Sequence, residues 1–196
     1  MRTWIAGMAL AAGGGMLAAP AQAWRPEQVA GSLSDPVFLT APSGDDRLFV
    51  VEKGGRIQML AAGESAPTTY LDISGLVDTA GEGGLLGLAF APDFGSSGRL
   101  YVNYIDATTR DTVVASFTAA SATATRVDAT TRRTILTVDQ PAGRSNHKGG
   151  WIGFRPGEPE ALYIATGDGG SSNDPENRAQ NLNDNLGKIL RVTPGA

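Results

Sequence analysis

The chain of 196 residues contains no cysteine, so neither disulfides nor thiolate-bound metals hold it together and its fold must rest on packing. Basic runs are missing as well. Lys and Arg number 16 against 20 acidic residues, for a net charge of -4, and no more than two, Arg132 and Arg133, are adjacent. Nucleic acid and anionic membranes therefore find no electrostatic footprint. Helical periodicity is nearly absent, which excludes an all-helical bundle. Histidine occurs once, at His147, so all imidazole chemistry has a single address. What is present, 41% hydrophobic and 18% charged residues, is the composition of an ordinary globular domain with a core.

The one long apolar run is N-terminal. Arg2 and the amino terminus supply a positive start, residues 4–19 are apolar, and Ala21-Gln22-Ala23 is a small-x-small cleavage site before Trp24. Residues 1–23 read as a secretory signal peptide. The run is short and interrupted by Gly13-Gly14-Gly15, which argues against a spanning anchor. The mature chain, residues 24–196, is expected to be periplasmic or secreted, with no membrane span after cleavage.

Residues 24–196 repeat one pattern three times: an apolar run, a proline turn, a polar tip, then a Leu-aromatic-β-branched run. Pro42 leads to Leu48-Phe49-Val50, Pro92 to Leu100-Tyr101-Val102, and Pro156 to Leu162-Tyr163-Ile164. Each reads as a β-hairpin. Gly54-Gly55 between two alternating runs marks another. Residues 112–117, 134–138 and 188–192 are further strand candidates. The only helical candidate starts at Asp174, an N-cap type followed by Pro175 and Glu176. Strand groups recurring at this spacing predict an all-β propeller with four-stranded blades rather than a sandwich, which would not repeat the same signature. The length suits roughly three blades, and an incomplete propeller is expected.

The chemistry concentrates in two stretches: Gly143-Arg144-Ser145-Asn146-His147-Lys148-Gly149-Gly150, and Gly167-Asp168-Gly169-Gly170 at the end of an apolar run. An imidazole neutral near pH 7 suits a general base, and a carboxylate on its other nitrogen would fix the tautomer. A lone histidine also serves as a structural hydrogen-bonder, and Gly-Asp-Gly-Gly closes turns without any function. Glu82, in Gly81-Glu82-Gly83-Gly84, fits either a pocket residue or a solvated loop carboxylate. Gly149 and Gly150 suit close approach to a flat ring or a sharp strand entry. The polar loop from Ser171 to Asn185 is rich in oxygen ligands but lacks EF-hand spacing, so capping explains it better than calcium, and no metal ligand is assigned. Dinucleotide, phosphate-loop and serine-elbow motifs are not matched.

Three stretches in register resemble the soluble pyrroloquinoline-quinone-dependent sugar dehydrogenases, the glucose/sorbosone dehydrogenase family: residues 81–90 with Pro92-Asp93-Phe94, then 146–150, then 167–170 through Asp174-Pro175 to 186–191. The resemblance covers about residues 36–192. It implies half of a six-bladed propeller and a pyrroloquinoline quinone (PQQ) held partly through calcium. It further implies that His147 takes the proton of a sugar's anomeric hydroxyl while hydride goes to the quinone, giving a lactone and passing electrons to an external acceptor. Asp168 would orient His147, and Glu82, Asn146 and His147 would face the cofactor. The family's basic cofactor clamp and main calcium loop lie in a portion that this sequence lacks. The competing expectation is a non-catalytic extracellular propeller fragment that binds carbohydrate or protein.

Overall fold

The computed structural model describes residues 24–195, so the expected signal peptide lies outside the described residues. Eleven strands form three antiparallel sheets. The first holds β1 (Pro36–Thr40), β2 (Leu48–Glu52), β3 (Arg56–Leu60) and β4 (Thr68–Asp72) in sequential order. The second repeats that order with β5 (Leu85–Phe90), β6 (Arg99–Ile105), β7 (Thr112–Thr118) and β8 (Arg133–Val138). The third has three strands, β9 (Gly149–Arg155), β10 (Glu158–Thr166) and β11 (Ile189–Val192), with β10 in the middle. These are three blades of a β-propeller, with the leading strands β1, β5 and β9 packed in succession.

All three proline-turn units are hairpins: β1–β2, β5–β6 and β9–β10. The Gly54-Gly55 turn joins β2 to β3. Gly55 has φ of 100°, and a Cβ there would lie 2.6 Å from the Ser74 α-carbon, so the turn requires glycine. Strand β4 carries only Tyr70 and Leu71 as core residues, too little pattern to stand out in sequence. The expected helix after Asp174 is absent. Residues 174–180 form consecutive turns instead, and the Asp174 carboxylate caps them by accepting from the Arg178 and Ala179 amides at 2.8 and 2.9 Å. Asn173, Asp174 and Asn177 all have positive φ, which interrupts any helical run. Among the described residues the one α-helical turn, α1 (Phe94–Ser97), sits instead in the β5–β6 connection and ends on Gly98 in the left-handed region.

The face-to-face stacking of blades explains why the middle strands lack strict alternation. In β6, Leu100, Val102 and Tyr104 point into the core between blades one and two, while Tyr101 points into the core between blades two and three. In β7, Val113, Ala115 and Phe117 take the first side and Val114 the second. A strand covered on both faces reads as a continuous apolar run. Phe49, Tyr70, Phe90 and Phe94 join the first pair of blades through edge-to-face contacts at 4.7–4.8 Å, and Tyr101 meets Phe154 at 5.5 Å across the second. Arg47 is a further clamp. It is paired with Asp45, lies over the Phe49 ring, and donates to the Ala122 and Ala124 carbonyls of blade two.

Candidate active site

The register of the third blade brings His147 and Asp168 together. Antiparallel pairing sets Thr166 opposite Gly149, so the chain two residues beyond one strand faces the chain two residues before the other. Those residues are Asp168 and His147. Their side chains meet with Nδ1 of the imidazole 2.9 Å from Oδ1 of the carboxylate. The backbone approach is as close as glycine permits: a Cβ on Gly167 would lie 1.8 Å from the His147 carbonyl oxygen. Gly149 and Gly150, both with positive φ, let the strand turn in sharply.

Asp168 is held from two sides. Its Oδ1 also accepts the Gly170 N–H at 2.9 Å. That bond foremost holds the Asp168 carboxyl below the usual carboxylate range; burial opposes it, and the His147 ring bond and the Arg144 charge add to the lowering. An ionised Asp168 accepts from Nδ1–H, so the assigned tautomer carries its lone pair on Nε2. The His147 side chain is 41% exposed while that of Asp168 is 19%, so the ring is accessible and its partner less so.

Two more residues expected at the site are close by. Glu82 lies in the loop entering β5, the leading strand beside β9, and its Oε2 accepts the His147 main-chain N–H at 2.5 Å. The Glu82 N–H in return donates to the Ser145 carbonyl at 2.7 Å, so the loops of two blades are tied both ways. Asn146 turns its Oδ1 to the Ser171 N–H at 3.1 Å and thereby holds the loop after Asp168. All four residues thus converge where β5 and β9 begin. The groove of about 330 Å³ lined by Ala91, Tyr101, Phe154 and Pro194 belongs to the opposite ends of these strands and holds none of them.

Sequence reasoning missed the parts that hold the loops in place. Arg144 donates to the Gly170 carbonyl at 3.0 Å and pairs with Glu176. Lys148 is buried, its Nζ donates to Gln140 Oε1 at 2.9 Å, and desolvation pushes its pKa down. Adjacency to the Asn-His pair was the only signal for either. The two cations nearest His147 are thus committed to the protein itself. The Asp174 and Asp184 carboxylates of the polar loop are likewise taken up by Arg178 and main-chain N–H groups. Among the described residues no three His, Asp or Glu side chains cluster as metal ligands. Among the described residues His147 and Asp168 form an oriented imidazole–carboxylate pair, and no calcium site or cationic clamp for a polycarboxylate quinone is formed.

Comparison with known proteins agrees with this architecture. The family described as glucose/sorbosone dehydrogenase matches residues 33–196. The PQQ-bound aldose sugar dehydrogenase of Streptomyces coelicolor is 28% identical with a TM-score of 0.68, over 86% of this chain and 47% of that one. The apo soluble aldose sugar dehydrogenase of Escherichia coli is 26% identical, with a TM-score of 0.68, over 86% and 46%. Human Hedgehog-interacting protein is 33% identical over 180 residues, which are 85% of this chain and 25% of that protein. The chain therefore spans about half the length of these solved relatives and a quarter of this curated one.

Proposed function

Because the chain belongs to the glucose/sorbosone dehydrogenase family, we propose that it forms the base-bearing part of an exported quinone-dependent oxidoreductase that converts aldoses to lactones at the anomeric carbon. The observation that carries this reading is the 2.9 Å bond between His147 Nδ1 and Asp168 Oδ1. It leaves Nε2 as a lone pair on an accessible ring, which is what removal of a hydroxyl proton needs.

In this reading the anomeric hydroxyl donates its proton to His147 Nε2. Asp168 stabilises the imidazolium that forms and keeps the ring from turning. PQQ, when bound, supplies the two-electron acceptor for the hydride, and an external acceptor then removes the electrons. Asn146 and His147 would stand at its edge. Calcium would belong with the cofactor, bound through ligands beyond those described.

The test is to add PQQ and calcium to the protein extended to the length of its solved relatives, measure quinone binding, then follow aldose-dependent dye reduction. Binding and turnover are expected, with turnover abolished by His147→Ala. Quinone binding with rates indifferent to His147→Ala would reject the assignment of the base.

A second reading is an extracellular binding module without turnover. It is favoured by the similarity to Hedgehog-interacting protein, whose name states an interaction with a protein. Failure to bind the quinone would support it.

A further inference from the structure

We propose that Glu82 is a positioning residue for His147: its carboxylate holds the His147 main-chain N–H and so fixes the backbone turn that aims the imidazole at Asp168. The inference rests on the assignment of His147 as the base. It gives Glu82 a different task from direct contact with sugar or cofactor.

His147 has φ of 53°, in the left-handed region. A side chain with a Cβ is disfavoured there by about 1–2 kcal/mol, so the surroundings must impose it. Three contacts do so. Glu82 Oε2 accepts the N–H at 2.5 Å, a charge-assisted bond of the strong kind. On the carbonyl side, the Gly167 α-carbon lies so close that a Cβ would come within 1.8 Å of the His147 oxygen. Asp168 then receives the ring. Removing the first contact frees the peptide to rotate, and rotation would swing the ring off Asp168.

Glu82 is itself held firmly enough to serve. Its N–H is bound to Ser145 O, and the Lys53 ammonium donates to the preceding carbonyl, Gly81 O, at 2.7 Å. A Cβ on Gly81 would lie 2.5 Å from Ser145 O, so the two loops are in contact. A loop carboxylate that only solvates the surface would show no such bond across blades. The charged groups around His147 are Glu82, Asp168, Arg144 and Lys148; of these only Glu82 touches its main chain.

Because the chain has one histidine, its ring nitrogens give one unambiguous pair of signals in 15N NMR. The parent chain should show a single Nδ1–H tautomer and a slowly exchanging His147 amide. Glu82→Ala should show mixed tautomers, a fast-exchanging amide and kcat lower by about 10- to 100-fold at unchanged sugar KM. Glu82→Gln keeps an acceptor oxygen at the same reach and should restore the ring signature, with kcat within about threefold of the parent. If Glu82→Ala fails to fold, Glu82→Asp, one methylene short of the amide, takes its place with the same expectation. An unchanged ring signature in Glu82→Ala overturns the proposal. So does a loss confined to KM, or a Gln variant as impaired as the Ala variant. If the parent, extended to the length of its solved relatives, has no dehydrogenase activity, the proposed function fails, while the tautomer and amide measurements still decide the positioning role.

Discussion

At the scale of residues, the proposed function rests on the bonded pair His147 and Asp168. Replacing His147 by Ala removes the base, and turnover should fall by about 10² to 10⁴. Asp168→Asn preserves shape but not charge, so the imidazolium loses its counter-charge; kcat should drop by about 10- to 100-fold with KM little changed, measured by steady-state dye reduction. Asp168 also sets a pH dependence. Its folded pKa lies below the ordinary value because the Gly170 amide and then the His147 ring stabilise the carboxylate. Such a group contributes stability that is present above the unfolded pKa of about 3.9 and is lost as pH falls through the lower folded value. Urea midpoints should therefore decline below about pH 4, and Asp168→Asn should flatten that decline. His147 and Asp168 were legible in sequence because glycines frame both and strands precede or follow them. The role of Glu82 was not, since its partner lies 65 positions away and is a backbone N–H.

At the scale of elements, close approach of the leading strands places the site. A Cβ on Gly87 of β5 would stand 2.2 Å from the Gly150 carbonyl of β9, although the Gly87 backbone is not left-handed. Gly87→Ala is thus a purely steric wedge between blades two and three. It should cost about 1–3 kcal/mol in chemical denaturation and lower activity together with stability, because β9 carries His147. Arg47 is the corresponding clamp between blades one and two. Arg47→Ala leaves Asp45 without its partner and two carbonyls without donors, and should cost about 2–3 kcal/mol by the same measurement. Sequence patterning found the hairpins, whose turns are local. It misread residues 174–180, where an aspartate and a proline suit a helix start but positive φ at Asn173, Asp174 and Asn177 produces capped turns.

At the scale of the whole molecule, the three described blades stack with two shared cores, and the two outer blades carry exposed apolar side chains. Val37 and Leu39 are exposed on blade one, and Trp151 and Ile189 on blade three. Apolar faces of this kind drive association when nothing covers them. The isolated chain should therefore self-associate with rising concentration in sedimentation velocity, and Ile189→Lys should weaken that association without shifting the His147 ring signals. A sharply melting monomer at all concentrations would contradict this expectation.

The sequence alone determined the class of fold, because turn chemistry and strand propensity act over a few residues and recur three times. It also confined any imidazole chemistry to one residue, because the chain has one histidine. The tertiary structure decided which groups meet. The β9–β10 register sets Asp168 against His147, and the packing of β5 beside β9 brings Glu82 to a main-chain amide on another blade. Such pairings depend on strand register and on the absence of a Cβ at glycine contacts, which are properties of chains side by side and leave no mark on spacing along one of them.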